Sequence, residues 1–235
     1  MSLEVQIHDA QTLILRKLLF SEKARFAELQ QVTHLESDHF KFHLKRLVEL
    51  GYVEATAKGQ YRLTLLGKEY ANKLDTDSNT IERQPKSAVI LIIQKTNQQD
   101  GEYLFQERLK QPYFGYVGFP TGKIRWGESV FETAARELLE ETGLTADFQH
   151  IGVWHERVYE KRSGIQLEDK IFHMMLGRNP RGEMKPKFEG GKNYWQKRDK
   201  IDANKRFYNH LIEDYFLTGK GRFREDVSYY DSEKF

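Results

Sequence analysis

The 235-residue sequence predicts an α+β protein of two domains, and three observations carry that prediction. The stretch DTDSNTIERQPK at 75–86 is polar, lacks apolar periodicity and contains a proline, so we place a linker at residues 76–86. Residues 1–75 have the pattern of helices followed by a two-stranded hairpin. Residues 87–235 open with apolar strands and continue with an amphipathic helix.

The composition excludes several classes of protein. The chain is 39% hydrophobic with a net charge of +2, which suits a packed core and does not by itself indicate binding to nucleic acid or a membrane. It has no cysteine, which excludes disulfides, thiolate nucleophiles and cysteine-based zinc sites. No signal-peptide pattern is present, and the longest apolar run, 88–93, is too short to cross a bilayer. We therefore expect a cytoplasmic protein without a membrane partner.

In the first domain, apolar periodicity and turn residues define each element in order. Ser37 is the expected N-cap of the third helix, and Gly51 follows that helix. A turn at Ala57, Lys58 and Gly59 joins the two strands of the hairpin. The predicted helices lie at 8–20, 26–33, 37–50 and 65–74, and the predicted strands at 52–56 and 60–64.

The stretch FKFHLKRLVELGYVEATAKGQYRLTLLGKEYA at 40–71 resembles the winged helix-turn-helix family, including Gly-Tyr-Val before the wing and Leu-Thr-x-x-Gly after it. In such modules the third helix enters the DNA major groove. Asp38 is a further polar residue there, and Lys58 and Arg62 could serve the wing. The resemblance implies that the DNA-binding candidates are His39, Lys41, His43, Lys45 and Arg46.

Other roles for this domain stay open. Residues 1–75 hold eleven Lys+Arg and ten Asp+Glu, so phosphate neutralisation would be weak. Winged helices also serve as dimerisation or protein-contact units, which makes a homodimer an alternative. His39 and His43, four residues apart, could bind a metal, but no third ligand is near them in the sequence.

The segment GKIRWGESVFETAARELLEETGL at 122–144 is the most informative for function. Ser129 is a natural N-cap for a helix that runs to about Thr142, and Gly143 suits the position just past its end. Arg136 is expected to pair with a glutamate four residues away, Glu132 or Glu140. The stripe expected to be buried consists of Val130, Ala134, Ala135, Leu138 and Leu139.

Three carboxylates share one face of this helix, because Glu137, Glu140 and Glu141 stand at positions i, i+3 and i+4. Such like-charge pairs repel by about 0.2–0.5 kcal/mol, and the last helical turn disfavours negative charge. A bound divalent cation would reverse both penalties, and carboxylate oxygens suit Mg²⁺ or Mn²⁺ rather than zinc. The alternative is a solvated acidic face without a ligand.

The same segment resembles the signature of the Nudix hydrolases: Gly, five residues, Glu, seven residues, then Arg-Glu-apolar-any-Glu-Glu-any-Gly-apolar. Every position of that pattern is matched. The resemblance implies an α/β/α sandwich with a mixed sheet, and Mg²⁺- or Mn²⁺-dependent hydrolysis of a nucleoside diphosphate linked to another moiety. The matching residues are Gly122, Glu128, Arg136, Glu137, Leu138, Glu140, Glu141, Gly143 and Leu144.

The resemblance also implies roles at the site. Glu137 is the first candidate for the general base, and Glu183 and Glu189 are alternatives from a later segment. Arg136 and Glu128 would support the catalytic carboxylates. The implied metal ligands are the carbonyl of Gly122 and the carboxylates of Glu137, Glu140 and Glu141.

The remaining elements of the second domain follow from apolar runs. A buried strand at 87–94 is expected to form a hairpin with 102–108 around a turn at 97–101. Residues 111–121 form an aromatic, glycine-rich approach to the signature, and 222–235 either add an edge strand or lie across a neighbour. Further strands are predicted at 149–160 and 170–176, and a late helix at 203–217.

Substrate recognition lies outside the signature. In some relatives, a proline shortly after the signature indicates ADP-ribose as the substrate. This chain has no proline at the corresponding place, near Tyr159, Glu160 and Lys161. In other relatives, a tyrosine in that region indicates dinucleoside polyphosphates as substrates. Tyr159 of this chain lies about one residue before the position that this tyrosine usually has. For the aromatic and basic candidates named next, the alternative roles are core packing and plain surface exposure. The candidates for stacking on a base are Phe114, Tyr116, Phe119, Trp126, Trp154 and Tyr159, and those for phosphate are Arg108, Lys123 and Arg125.

Two functional hypotheses follow. The first is a metal-dependent pyrophosphohydrolase that acts on a nucleotide-type substrate, with the winged helix as an accessory or dimerising module. The second is a DNA-binding transcription regulator whose Nudix domain senses a nucleotide metabolite. The complete set of carboxylates favours the enzyme, because a sensor alone has no physical need for all three.

Overall fold

The computed structural model describes residues 7–56, 59–75, 80–96, 101–206 and 210–231. The chain divides into two compact units, residues 1–83 and 84–235, and each has a hydrophobic core of its own. Within these described ranges, no helix is long and apolar enough to cross a membrane.

The described part of the first unit contains four α-helices and five short strands. Residues 57–58 of the predicted turn and 76–79 of the predicted linker lie outside the described residues. The elements, in chain order, are α1 (Asp9–Leu19), β1 (Ala24–Arg25), α2 (Phe26–Thr33), α3 (Ser37–Glu49), β2 (Val53–Thr56), β3 (Gln60–Leu63), α4 (Leu65–Ala71), β4 (Leu74–Asp75) and β5 (Thr80–Ile81).

Two predicted details of this unit are wrong. Glu36, not Ser37, is the N-cap residue of α3, because its backbone is still extended whereas Ser37 already belongs to the helix. Helix α4 ends at Ala71 rather than at 74, because Leu74–Asp75 instead pairs with Thr80–Ile81 as a strand. Part of the segment predicted as an irregular linker therefore has regular structure.

The first unit packs its helices and a three-stranded sheet, of order β1–β3–β2, around one core. Helix α3 buries Phe40, Leu44 and Leu47 on one face, so its opposite face is exposed. At the start of α4, a Cβ on Gly67 would overlap the carbonyl of Tyr52. Only glycine permits this close approach of α4 to the hairpin.

The second unit consists mainly of strands, with two α-helices in its described part. Residues 97–100 of the predicted turn lie outside the described residues. Its strands and α-helices, in chain order, are β6 (Lys86–Ile93), β7 (Glu102–Arg108), β8 (Val117–Gly118), β9 (Thr121–Lys123), α5 (Val130–Thr142), β10 (Thr145–Glu160), β11 (Gln166–Arg181), β12 (Lys187–Phe188), β13 (Gly191–Lys197), α6 (His210–Leu217) and β14 (Phe223–Tyr230).

These strands form two sheets. The larger has the order β14–β10–β11–β6–β9 and is mixed, because β6 runs parallel to β11 and β14 parallel to β10. The smaller, of order β12–β13–β7–β8, is antiparallel. The predicted mixed sheet is confirmed. Strands β10 and β11 each have 16 residues and are longer than predicted.

The predicted hairpin of β6 with β7 is wrong. In the described residues, the two segments join through the isolated bridge between Gln94 and Tyr103 and the adjacent hydrogen bond from the Lys95 N–H to the Glu102 carbonyl, and the strands then enter different sheets. Strand β6 pairs with β11 and β9, whereas β7 pairs with β13 and β8. Nearness in sequence suggested the pairing, but both faces of β6 are buried and its partners come from later in the chain.

Strand β6 separates two cores. Its even-numbered residues from 88 to 92 belong to a core that includes Phe216 of α6. Its odd-numbered residues from 89 to 93 belong to a second core that includes Leu138 of α5. The two helices therefore cover opposite faces of the sheet, as expected for an α/β/α arrangement.

The C-terminal region differs from prediction in part. The predicted helix at 203–217 is divided into a 3₁₀ turn, Ala203–Lys205, and α6, with 207–209 outside the described residues. The final segment contributes β14 at the edge of the larger sheet, so the edge-strand alternative is confirmed. Strand β13 was missed because its sequence, GKNYWQK, has little apolar alternation.

Candidate active site

Helix α5 begins and ends as its sequence predicts. The Ser129 hydroxyl accepts a hydrogen bond from the backbone N–H of Glu132, and the Glu132 carboxylate accepts one from the backbone N–H of Ser129. Gly143 ends the helix in the left-handed conformation, with φ of 74°. The buried stripe is shifted, because Ala135 and Leu139 are exposed, whereas Ala134 and Leu138 are buried together with Thr133 and Thr142.

Arg136 links the carboxylates of the signature. Its Nε and one terminal nitrogen donate to the two oxygens of Glu128 at 2.6 and 2.8 Å. The other terminal nitrogen donates to Glu137 at 2.7 Å and to Glu140 at 3.3 Å. Of the two partners expected from spacing, only Glu140 is observed, because Glu132 is engaged in capping the helix. A bidentate pair of this kind holds both side chains in a defined orientation.

Glu128 is held from several directions. It accepts hydrogen bonds from the Thr133 hydroxyl at 2.9 Å and from the backbone N–H of Arg125 at 3.2 Å, as well as from Arg136. The bond from Arg136 is the largest cause that lowers the pKa of Glu128 to about 2. Glu128 therefore stays ionised across the physiological pH range.

Glu137 lies directly over the backbone of Gly122. A Cβ placed on Gly122 would overlap the Cγ and Cδ of Glu137. Gly122 is in β9, which pairs with β6 at the edge of the larger sheet, so the sheet brings this glycine beneath α5. The glycine of the signature is thus explained by the space that Glu137 occupies.

Glu141 lies between α5 and the smaller sheet. Its carboxylate accepts a hydrogen bond from the Gln106 amide at 3.0 Å, and Asn193 donates to the Glu141 carbonyl at 2.9 Å. Burial raises the pKa of Glu141 and the charge of Glu137 adds to this, against the opposing effect of the Gln106 hydrogen bond. Sequence reasoning missed Gln106 and Asn193, because each lies in a strand that contains several polar residues and nothing local marks either one.

The three glutamates supply the oxygen ligands that Mg²⁺ and Mn²⁺ prefer. The partly desolvated carboxylate of Glu141 also fits a cation. In the described residues, however, no three acidic or histidine side chains converge closely enough to hold a metal ion. Glu137 and Glu140 point toward Arg136 instead. The donor set fits a divalent cation in chemistry, and these two side chains must reorient to bind it.

A cleft of about 630 Å³ opens on the other side of the smaller sheet. Gln106 and Glu107 are neighbours in β7, so their side chains point to opposite faces. Gln106 faces Glu141, and Glu107 lines the cleft. A larger cleft, of about 810 Å³, lies in the first unit and contains no signature residue. The aromatic, apolar and basic walls of the smaller cleft include Phe114, Tyr116, Tyr194, Ile201, Lys200 and Lys205.

Several predicted substrate contacts are corrected by burial. Phe119 is 3% exposed and stacks on Phe105, so it belongs to the core rather than to a base-binding surface. Trp154 is also fully buried, and its indole N–H donates to Asp226. Trp126 is 94% exposed, so its role in stacking on a base stays a prediction. The size of these aromatic residues suggested stacking, but sequence alone does not distinguish a core ring from a surface ring.

Of the other predicted contacts, Arg108, Lys123 and Arg125 lie close to residues of the signature, whereas Tyr159 does not. Tyr159 lies on β10, which β11 and β6 separate from the signature glycine on β9. Arg108 donates through Nε to the carbonyl of Pro112 at 2.6 Å, and Arg125 donates to Glu140 at 3.4 Å. Lys123 is exposed, and its carbonyl accepts a hydrogen bond from Arg136. The side chains of Glu183 and Glu189 are exposed.

The predicted DNA-contacting residues of α3 form an exposed but ion-paired face. Lys41 pairs with Asp38, while Lys45 and Arg46 both pair with Glu49. His39 is exposed.

Two further candidates in the first unit have partners. His43 is partly buried, with its ring 4.4 Å from that of His8, and this burial lowers its pKa. Arg62 pairs with Glu54 across the hairpin at 2.5 Å. Lys58 lies outside the described residues.

The fold and the acidic helix define a protein of the α/β class with a carboxylate-rich site at one end of a helix. A family model described as the NUDIX domain matches residues 84–215, more than half of the chain. The chain therefore belongs to the Nudix family.

A search of curated proteins and solved structures gives individual relatives. The ADP-ribose pyrophosphatase of Methanocaldococcus jannaschii is 35% identical over 88 residues, which cover 36% of this chain and 50% of that protein. The chain thus matches about half the length of that relative. A MutT protein from Bacillus halodurans has a TM-score of 0.48 and 20% sequence identity, and the match covers 64% of this chain and 93% of that chain. The NUDIX domain of Shewanella oneidensis NrtR complexed with ADP ribose also has a TM-score of 0.48, with 15% identity, and the match covers 67% of this chain and 99% of that chain.

Proposed function

We propose that this protein is a metal-dependent hydrolase of a nucleoside diphosphate linked to a second moiety. The observation that carries the proposal is the complete signature on α5, with Glu137, Glu140 and Glu141 on one side and Arg136 bound to Glu128. A solvated acidic face has no need of the Arg136–Glu128 pair or of a glycine beneath Glu137.

Each residue has a role in this proposal. Glu137, Glu140 and Glu141, with the carbonyl of Gly122, would hold Mg²⁺ or Mn²⁺. The bound ion supplies charge neutralisation of the pyrophosphate, polarisation of the P–O bond and a lowered pKa for the attacking water. Glu137 is the proposed general base. Arg136 donates to Glu137 and Glu140 and would release them as they turn toward the ion, whereas Gln106 limits the orientation of Glu141.

ADP-ribose is the first substrate to test. The relative at 35% identity is an ADP-ribose pyrophosphatase. The 630 Å³ cleft lies on the face of the smaller sheet away from Glu141, so it would take the base or the second moiety rather than the pyrophosphate, and its aromatic rings suit a base. The absence of the expected proline near Tyr159 argues for a broader panel that includes diadenosine polyphosphates.

A hydrolysis panel tests the proposal. We expect phosphate-coupled turnover of ADP-ribose, diadenosine polyphosphates, dinucleotides or nucleoside triphosphates with Mg²⁺ or Mn²⁺, and loss of that turnover with EDTA. The melting temperature of the protein, measured with each nucleotide present, detects binding even where there is no turnover. Complete inactivity across the panel, together with stabilisation by one nucleotide, would favour the sensor hypothesis instead.

The second candidate function is DNA-dependent regulation by the first unit as a winged helix. The observation that favours it is the exposed outer face of α3, which carries His39, Lys41, Lys45 and Arg46. The pairs that these cations form with Asp38 and Glu49 are exposed and weak, so phosphate could displace the carboxylates.

A gel shift at low salt against the upstream region of the protein's own gene tests this function. We expect the double variant Lys45→Ala/Arg46→Ala to weaken binding and to reduce the slope of log affinity against log salt by about 2, since about 0.9 is lost per phosphate contact. The matched control is Lys161→Ala/Arg162→Ala, which removes the same charge from the second unit. Wild-type protein that fails to shift this DNA at low salt would rule against the regulator.

A further inference from the structure

The segment between β7 and β8, residues 109–116, forms part of one wall of the 630 Å³ cleft. Two backbone hydrogen bonds close this loop at its base, from Arg108 N–H to the Tyr116 carbonyl and from Gly115 N–H to the Arg108 carbonyl, both at 2.8 Å. Phe114, Gly115 and Tyr116 line the cleft. The conformation of this loop therefore affects the shape of the cleft.

Tyr113 is the residue of this loop that points inward. It is 2% exposed, whereas its neighbour Phe114 is 57% exposed. Its φ of 68° lies in the left-handed region, which non-glycine residues adopt at a cost and only when their surroundings impose it. The phenol donates to Glu168 Oε2 at 3.3 Å, and the ring lies 5.1 Å from that of Tyr230 on β14.

The acceptor of this hydrogen bond is itself fixed. Glu168 is a buried residue of β11 and forms an ion pair with Lys170 of the same strand. The Lys170 ammonium also lies 5.8 Å from the centre of the Tyr113 ring. Burial, followed by the charge of Glu168, raises the pKa of Tyr113, so its hydroxyl remains a donor at every physiological pH.

We propose that the hydrogen bond from Tyr113 to Glu168 is a positioning contact that holds the 109–116 loop in the shape that binds substrate. Tyr113 points away from the cleft and acts through Phe114 and Tyr116. The inference rests on the proposed function, because it takes the cleft to be part of the substrate site. It assigns substrate affinity to a buried pair outside the signature.

The test removes only the hydroxyl. We expect Tyr113→Phe to raise KM about tenfold and to leave kcat within about twofold, because a hydrogen bond to a charged group is lost while the ring stays in place. In hydrogen exchange, the amides of Gly115 and Tyr116 should exchange about tenfold faster than in wild type. The matched control is Tyr229→Phe on exposed β14, which should change neither quantity.

Glu168→Gln keeps an acceptor for the phenol, so its KM should lie nearer the wild-type value than that of Tyr113→Phe. Unchanged exchange at Gly115 and Tyr116 in Tyr113→Phe would overturn the inference even if no substrate were turned over. Unchanged KM in an active Tyr113→Phe enzyme would overturn it as well. Failure of the proposed function looks different, because the wild type would then be inactive on every substrate.

Discussion

Glu141→Gln is expected to reduce kcat by at least about 100-fold, since loss of a metal ligand removes several kcal/mol and each 1.4 kcal/mol is tenfold in rate. The fold should be retained. The amide oxygen can still accept the hydrogen bond from Gln106, and a buried charge facing Glu137 disappears. We therefore expect a melting temperature equal to or slightly above that of wild type without metal.

The measurement combines steady-state kinetics with metal binding followed by calorimetry. Glu140→Gln should show the same loss of turnover, although Glu140 is exposed and Glu141 is partly buried. Glu69→Gln removes an exposed charge of the first unit and serves as control. If Glu141→Gln kept wild-type turnover, the assignment of these carboxylates to a metal site would be refuted.

Gly122→Ala is expected to have a comparable effect for a steric reason. The added Cβ overlaps Glu137, so that side chain must leave its place over β9. Gly122 does not have a left-handed φ, so alanine is compatible with its backbone and the fold should survive. We expect a loss of about 100-fold in kcat/KM, equivalent to roughly 3 kcal/mol of transition-state stabilisation.

A double-mutant cycle separates this cause from a general disturbance. Glu137→Gln alone should lose activity, and adding Gly122→Ala to it should cost little more, because both changes act on one side chain. Additive losses would show that Gly122 acts independently of Glu137. Circular dichroism and melting temperature confirm that each variant is folded.

The sequence predicts the centre of the site better than its surroundings. The capping residue Ser129, Gly143 at the end of α5 and the spacing of the three glutamates are all local, and local patterns determine them. The contact of Glu141 with Gln106 crosses 35 positions, and that of Gln106 with Asn193 crosses 87. Such contacts depend on strand order, which no local pattern encodes.

In the fold as well, local features were predicted correctly and long-range contacts were not. Helices α1 and α2 lie within one residue of their predicted bounds, because periodicity and turn residues define them. The predicted partner of β6 was wrong, because the sequence of an apolar strand carries no information about which strand lies beside it. The buried positions of Phe119 and Trp154 likewise follow from packing, since an aromatic residue is suited both to a core and to a binding surface.

The burial of β6 on both faces has a consequence for how its register is specified. In a half-buried strand, a slip by one residue would expose apolar side chains, and hydrophobicity alone prevents it. In the apolar part of β6 that penalty is small, because at least five of the six residues from 88 to 93 would still be at buried positions after a slip. The correct register must therefore be selected by side-chain volume: Ala88, Ile90 and Ile92 fit one core, and Val89, Leu91 and Ile93 the other. Exchanging Ala88 with Val89 would preserve composition and hydrophobicity while removing part of that distinction.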